Sequence, residues 1–130
     1  MSGALIIGEM LGQSAGLMAV VPSDNLALGG LPQGTPVPAL IVTSISDVST
    51  YGVAGRAQSM TERVQVTILS KHPEQQIDLL KLVLDACDGV TGTVAGFSGV
   101  DVTSAGKGAD FRDDADVWIT SRDFKVTFRP

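Results

Sequence analysis

The sequence predicts an α+β fold: a mainly antiparallel sheet with a long hairpin, packed by one main helix over residues 73–88 and by an N-terminal helix. Three observations carry this expectation. Arg63-Val64-Gln65-Val66-Thr67-Ile68 alternates polar with apolar residues, the period of two expected of a strand with one buried face. Lys71-His72-Pro73-Glu74 then breaks the strand and opens a helix. Proline costs nothing at the first helical position, and Glu74 sets negative charge by the helix N-terminus. Beyond it Ile77, Leu80, Val83, Leu84 and Cys87 recur at helical spacing, Leu79 and Leu82 widen the apolar face, and Gly89 supplies a stop.

The remaining elements follow in chain order. Gly3 to Val21 is apolar and long, with β-branching only at Ile6, Ile7, Val20 and Val21, so one helix is expected there. Gly8, Gly12 and Gly16 each weaken it by about 1 kcal/mol relative to Ala. Their spacing fits close packing against another surface or, more simply, a marginal helix lying on part of the sheet. Pro22-Ser23-Asp24-Asn25 is turn chemistry, and Leu26-Ala27-Leu28 can form a short strand. The stretch from Gly29 to Pro38 holds too much Gly and Pro for a ladder and reads as an extended loop. Ala39 to Ser46 is a β-rich strand. Asp47 to Thr61 is polar and connects it to the strand beginning near Arg63, making a long hairpin with an exposed tip. After the helix, Thr91–Val94 and Gly99–Thr103 give one interrupted or two short strands, and Ser104 to Ala115 a second polar loop. Val117 to Phe128 forms the last strand, with Phe124, Val126 and Phe128 on one face.

Length and composition bound the function. A chain of 130 residues amounts to one domain spanning 1–130, able to bury roughly two-thirds of its unfolded surface without staples. The single cysteine, Cys87, leaves no intramolecular disulfide and occupies an apolar helix position, as a core cysteine does. A net charge of −5 with nine scattered cations opposes non-specific nucleic-acid binding, which needs clustered Lys and Arg to displace counterions. No apolar run approaches the ~20 residues of a membrane span, and the first residues lack the positive segment of a signal peptide. The expectation is a soluble chain that stays where it is made.

Several stretches imitate catalytic or ligand motifs. Gly12-Gln13-Ser14-Ala15-Gly16 matches G-x-S-x-G, but that chemistry needs a strand entering and a helix leaving the serine; here the pattern falls inside the expected first helix. The only histidine, His72, precedes Pro73 at a helix start. Gly106-Lys107-Gly108 resembles a phosphate loop, yet Asp101 stands where the first Gly belongs and Gly108 replaces the magnesium-binding Ser or Thr. Asp110, Asp113, Asp114 and Asp116 cluster with Arg112 without the EF-hand spacing or its terminal Glu, as in a solvated acidic loop. One His and one Cys cannot build a structural zinc site within a monomer. Trp118 and the phenylalanines of the last strand fall on strand periodicity. No catalytic residue, cofactor or metal site is expected, and the chain does not read as an enzyme.

Leu31-Pro32-Gln33-Gly34-Thr35-Pro36-Val37-Pro38-Ala39-Leu40-Ile41-Val42-Thr43, the later Glu62-Arg63-Val64-Gln65-Val66, and the helix from Pro73 resemble the tail completion, or tail terminator-like, proteins of long-tailed bacteriophages and prophage-derived particles. The similarity in element order runs from about residue 5 to the end. The resemblance implies a virion subunit that forms a six-membered ring at the head-proximal end of the tail tube. Such a ring would end tube polymerisation and join the tail to the head connector. Its partners would be further copies of itself, the tail tube protein and the connector or stopper protein. Genome DNA would pass through the lumen without specific binding, no membrane would be involved, and assembly would occur in the host cytoplasm. Ring subunits need edges or loops that a neighbour can cover. The candidate interface residues are Tyr51, Arg56, Gln58 and Met60 in the hairpin connector, and Asp110, Arg112, Asp113 and Asp114 in the second loop. The alternatives are a head-completion adaptor, another tail-tube component or a small ligand-binding domain.

Overall fold

The computed structural model describes residues 2–32, 34–51, 57–108, 110–113 and 115–129, apart from the side chains of 47–51, 57 and 58. It has the α+β architecture expected, a mixed and mostly antiparallel curled sheet with helices on one face. The strands are β1 (Leu26–Leu28), β2 (Ala39–Tyr51), β3 (Ala57–Ser70), β4 (Thr91–Val94), β5 (Phe97–Lys107), β6 (Phe111–Arg112) and β7 (Trp118–Phe128). Their spatial order is β1-β2-β3-β7-β5-β4, with β6 also against β7. β1 pairs parallel to β2, and every other pairing is antiparallel. The core fills the space between helices and sheet. From the sheet come Leu40, Val42, Val64, Val66, Ile68, Val100, Val102, Phe124, Val126 and Phe128. Their alternation with Arg63, Gln65, Thr67 and Lys125 confirms the one-sided strand pattern.

Helix α3 (Pro73–Cys87) starts at Pro73 as its sequence requires and is followed by Gly89 at φ +79°, the left-handed conformation glycine adopts freely. Its inward stripe is displaced from the expected one. Gln76, Leu79, Val83 and Cys87 face the core, while Ile77 is 66% exposed. Among the described residues the Gln76 side-chain amide nitrogen is buried with no hydrogen-bond partner. Apolar spacing alone could not place a buried amide on that stripe.

The expected N-terminal helix is divided. Helix α1 (Ser2–Gly12) ends at Gly12, and α2 (Ala15–Met18) restarts after Ser14, whose hydroxyl accepts from the Leu17 amide at 3.3 Å. The break turns the chain so that Met10 and Leu11 on one segment and Leu17 on the next are all buried. Serine here serves as an N-cap. The curl of the sheet lets α1 contact β1 as well as β4. At its start, the Ala4 amide donates to Glu62 Oε2 at 2.9 Å. A carboxylate from β3 thus sits at the positive end of α1, and Glu62 is only 1% exposed.

The two connectors expected as long polar loops are largely strand. The hairpin ladder between β2 and β3 continues to Tyr51↔Ala57, and only residues 52–56 lie beyond it, outside the described residues. Likewise Ser104–Lys107 belongs to β5 and Phe111–Arg112 forms β6, so a bulged hairpin with β7 replaces the 104–115 loop. Register shifts interrupt the ladders there, just before the first stretch between Ser44 and Ser46 and within it between Thr50 and Tyr51 on β2, and between Ser104 and Gly106 on β5. Between β4 and β5, Ala95 (φ 53°) and Gly96 (φ 83°) make a two-residue turn, resolving the two short strands. The Gly29–Pro38 loop is held by the buried Asn25, whose amide donates to the Pro36 and Pro38 carbonyls at 2.9 and 3.1 Å.

Candidate assembly surface

The candidate residues fall at opposite ends of the β3–β7 ladder. Met60 pairs with Phe128 at one end, and Arg112 pairs with Trp118, the partner of Ser70, at the other. At the first end, Met60 is half-buried and packs against the core beside the Phe97–Phe128 edge-to-face pair, whose ring centroids are 5.3 Å apart. Tyr51 and Gln58 lie on β2 and β3 by their backbones, but their side chains are outside the described residues, and so is Arg56 entirely. The two strands of this arm have each other as ladder partners, and β3 gains β7 only from Met60 onward.

The second end brings Asp110, Arg112 and Asp113 together; Asp114 lies outside the described residues. It is less a free acidic loop than a set of internally matched charges. Lys107 Nζ lies 2.6 Å from Asp110 Oδ2, and the Thr120 hydroxyl donates to the other oxygen of the same carboxylate. The hydrogen bond from Lys107, then that from Thr120, holds the Asp110 carboxyl below the usual carboxylate range. Asp113 Oδ1 accepts from the Ala115 and Val117 amides, both at 2.9 Å, folding the turn back onto β7. Arg112 stacks over Trp118 at 5.7 Å from the ring centroid, with its Nε 3.7 Å from Asp116. Phe111 stands beside this network, 53% exposed.

The open face of the sheet joins these two ends. Arg63 reaches Asp123 at 2.8 Å and the Ala105 carbonyl at 3.2 Å, and Gln65 donates to Asp123 and Ser121. Cys87, His72 and Ser14 lie apart from one another in the fold. Burial, followed by the neighbouring Asp88, pushes the Cys87 thiol up to about 12. His72 is exposed at the start of α3, and Ser14 caps α2. Among the described residues no group of His, Cys, Asp and Glu could hold a metal, and no helix is long and apolar enough to cross a membrane.

An open groove of about 410 Å³ lies on the helix side beside β4, between Met10, Leu82, Ala86, Val90 and Val94, with Asp85 at its margin. Sequence reasoning missed it, because its lining comes from α1, α3 and β4, and only the curl of the sheet brings them together. No family model matches the chain, nor does any curated protein. A solved structure does. A chain described as "Virion of native gene transfer agent (GTA) particle" superposes with a TM-score of 0.72, over 98% of this chain and 94% of that one. The two chains share a fold. Their sequences are 13% identical, so the likeness is one of architecture.

Proposed function

We propose that this chain is a virion structural protein. In that reading its copies form a six-membered ring at the head-proximal end of a phage-type tail, ending tube polymerisation and joining the tail to the head connector. The observation that carries the virion role is the end-to-end fold likeness to a chain of a gene transfer agent virion. The finer position rests on the resemblance of residues 31–43, 62–66 and the helix from Pro73 to tail completion proteins. The partners are other copies, the tube protein and the connector, with DNA passing through the lumen. The protein works by contact rather than catalysis.

Electron microscopy of particles made without the gene tests the reading. Overlong tails unattached to filled heads are the expected result. Tails of normal length beside tailless heads would reassign the protein to head–tail joining alone. Normal infectious particles would remove the virion role.

A further inference from the structure

The break in the N-terminal segment builds one wall of the groove beside β4. Helix α1 stops at Gly12 and α2 restarts at Ala15, so Gln13 and Ser14 line the groove together with Met10. The Gly12–Gly16 stretch that imitates a nucleophile elbow supplies this wall. Its last glycine has a packing reason. A Cβ on Gly16 would lie 3.4 Å from Leu82 Cδ2, so α2 comes close enough to hold Leu82 between itself and the groove. Opposite, α3 contributes Asp85 and Ala86 beside Leu82, and the chain after the helix contributes Val90, Thr93 and Val94. The floor is therefore methyl, methylene and thioether groups, under about 410 Å³ of open volume, a size typical of small binding clefts.

The one charged group lining this floor is negative. Asp85 is exposed, and among the described residues no Lys, Arg or His pairs with its carboxylate. Gln13 Nε2 donates to Glu9 Oε1 at 2.8 Å, which leaves the carbonyl oxygen as the free end of that amide. The helices around the groove share the sign, since α1 and α3 hold Glu9, Glu74, Asp78 and Asp85 against Lys81 alone. An apolar floor with an unpaired carboxylate at its rim matches a side chain that has an apolar stem and a cationic head. Arginine combines the two. Its methylenes lie along apolar surface while the guanidinium stays at the wet margin, where its planar fork meets a carboxylate through parallel hydrogen bonds. Lysine would bring a point charge that water holds more strongly.

We propose that the groove receives an arginine from a different protein, carried on a segment whose neighbouring residues are apolar. The arginine stem lies on Leu82, Ala86 and Val94 with its guanidinium at the Asp85 carboxylate, and the flanking apolar residues cover Met10 and Val90. Along one side runs β4, an edge strand paired only to β5 among the described residues, so an extended segment also meets open backbone groups there. That ladder is minor, because the register shift between Gly92 and Val94 leaves Thr93 unpaired. Selectivity therefore comes from the side chain in the groove, as in other sites that read an extended segment. The proposal does not depend on the tail position proposed above.

Nuclear magnetic resonance of the isotope-labelled full chain tests this with a pair of peptides. The probes are acetyl-Ile-Arg-Ile-amide and its counterpart with citrulline, the neutral isostere of arginine. The arginine peptide is expected to shift the amides of residues 10–14 and 82–94. It should bind about threefold or more tightly than the citrulline peptide, the range of an exposed ion pair. Asp85→Asn is expected to bring the two peptides to equal affinity. Ala86→Lys, which puts a stem and a cation into the groove from the chain itself, is expected to abolish binding of both. Asp85 is exposed and Ala86 half-buried, so unchanged signals away from the groove verify that each variant folds. Equal affinity of the two peptides for the unmodified chain would overturn the arginine, and a preference that survives Asp85→Asn would overturn its anchor. Shifts of the same amides on concentrating the chain alone would overturn the proposal in favour of a second copy as occupant. No shift at those amides with either peptide at millimolar concentration would overturn the groove as a docking site.

Discussion

Gly3 owes its identity to one carboxylate. A Cβ there would lie 2.6 Å from Glu62 Oε2 and 2.8 Å from its carboxyl carbon, inside the contact that lets the Ala4 amide reach the same oxygen. Any side chain at residue 3 must push α1 off β3 or push Glu62 from the helix N-terminus. Gly3→Ala is therefore expected to destabilise the protein by about 2 kcal/mol, the range of a tightly overpacked site, even though alanine is the better helix former. A chemical denaturation midpoint measures this, and an unchanged midpoint would mean that α1 shifts without cost. The sequence offered Gly8, Gly12 and Gly16 as a spaced set of small residues, left Gly3 outside it, and named no partner for any of them. Glu62 sits 58 positions from Ala4 in the chain, and a pattern read within one helix holds no trace of so distant a contact. Gln76 is a second case: only the tilt of α3 on the sheet decides whether residue 76 or 77 points inward.

Among the elements, those with strict periodicity were legible, and strands stopped being legible near their bulges. β3, α3 and β7 came directly from alternation or helical spacing, because each keeps one face on the core for its whole length. The end of β5 from Ser104 and the whole of β6 were read as loop, since the Ser104–Gly106 shift and the Gly108 amide bond to Ser121 interrupt the pattern. The acidic composition of that stretch misled in the same way, because charge was counted before pairing. The hairpin end formed by β6 and the start of β7 has a pH dependence set by Asp110. Its folded carboxyl is held low by Lys107 and Thr120, so its contribution is complete above the ordinary carboxylate range near 4 and is lost as pH falls through the lowered folded value. Trp118, the single tryptophan, pairs with Arg112 on this end and reports it. Acid titration of its fluorescence is expected to show a transition below about pH 4. Asp110→Asn should remove that step; retention of the step would mean that Asp110 does not set it.

In the whole molecule, no amount of local reading could supply the strand order. β7 lies between β3 and β5, joining a hairpin made before α3 to one made after it, and nothing in residues 118–128 names those neighbours. The candidate assembly residues do not gather at one place, since the ladder separates Met60 from Arg112 by the full length of β7. This placement has a consequence for the order of synthesis. As the chain emerges from the ribosome, the β2–β3 hairpin, α3 and the β4–β5 hairpin all form before the strand that unites them exists. Until then β3 and β5 each expose an unpaired inner edge, a template for wrong partners. A fragment covering residues 1–116 is expected to be recovered in the insoluble fraction, and its solubility beside the full chain is the direct measurement; a soluble, folded fragment would show that the two halves find each other without β7. A copy interrupted before residue 118 therefore leaves both inner edges of the sheet open, so the state of those edges reports whether the uniting strand has been made.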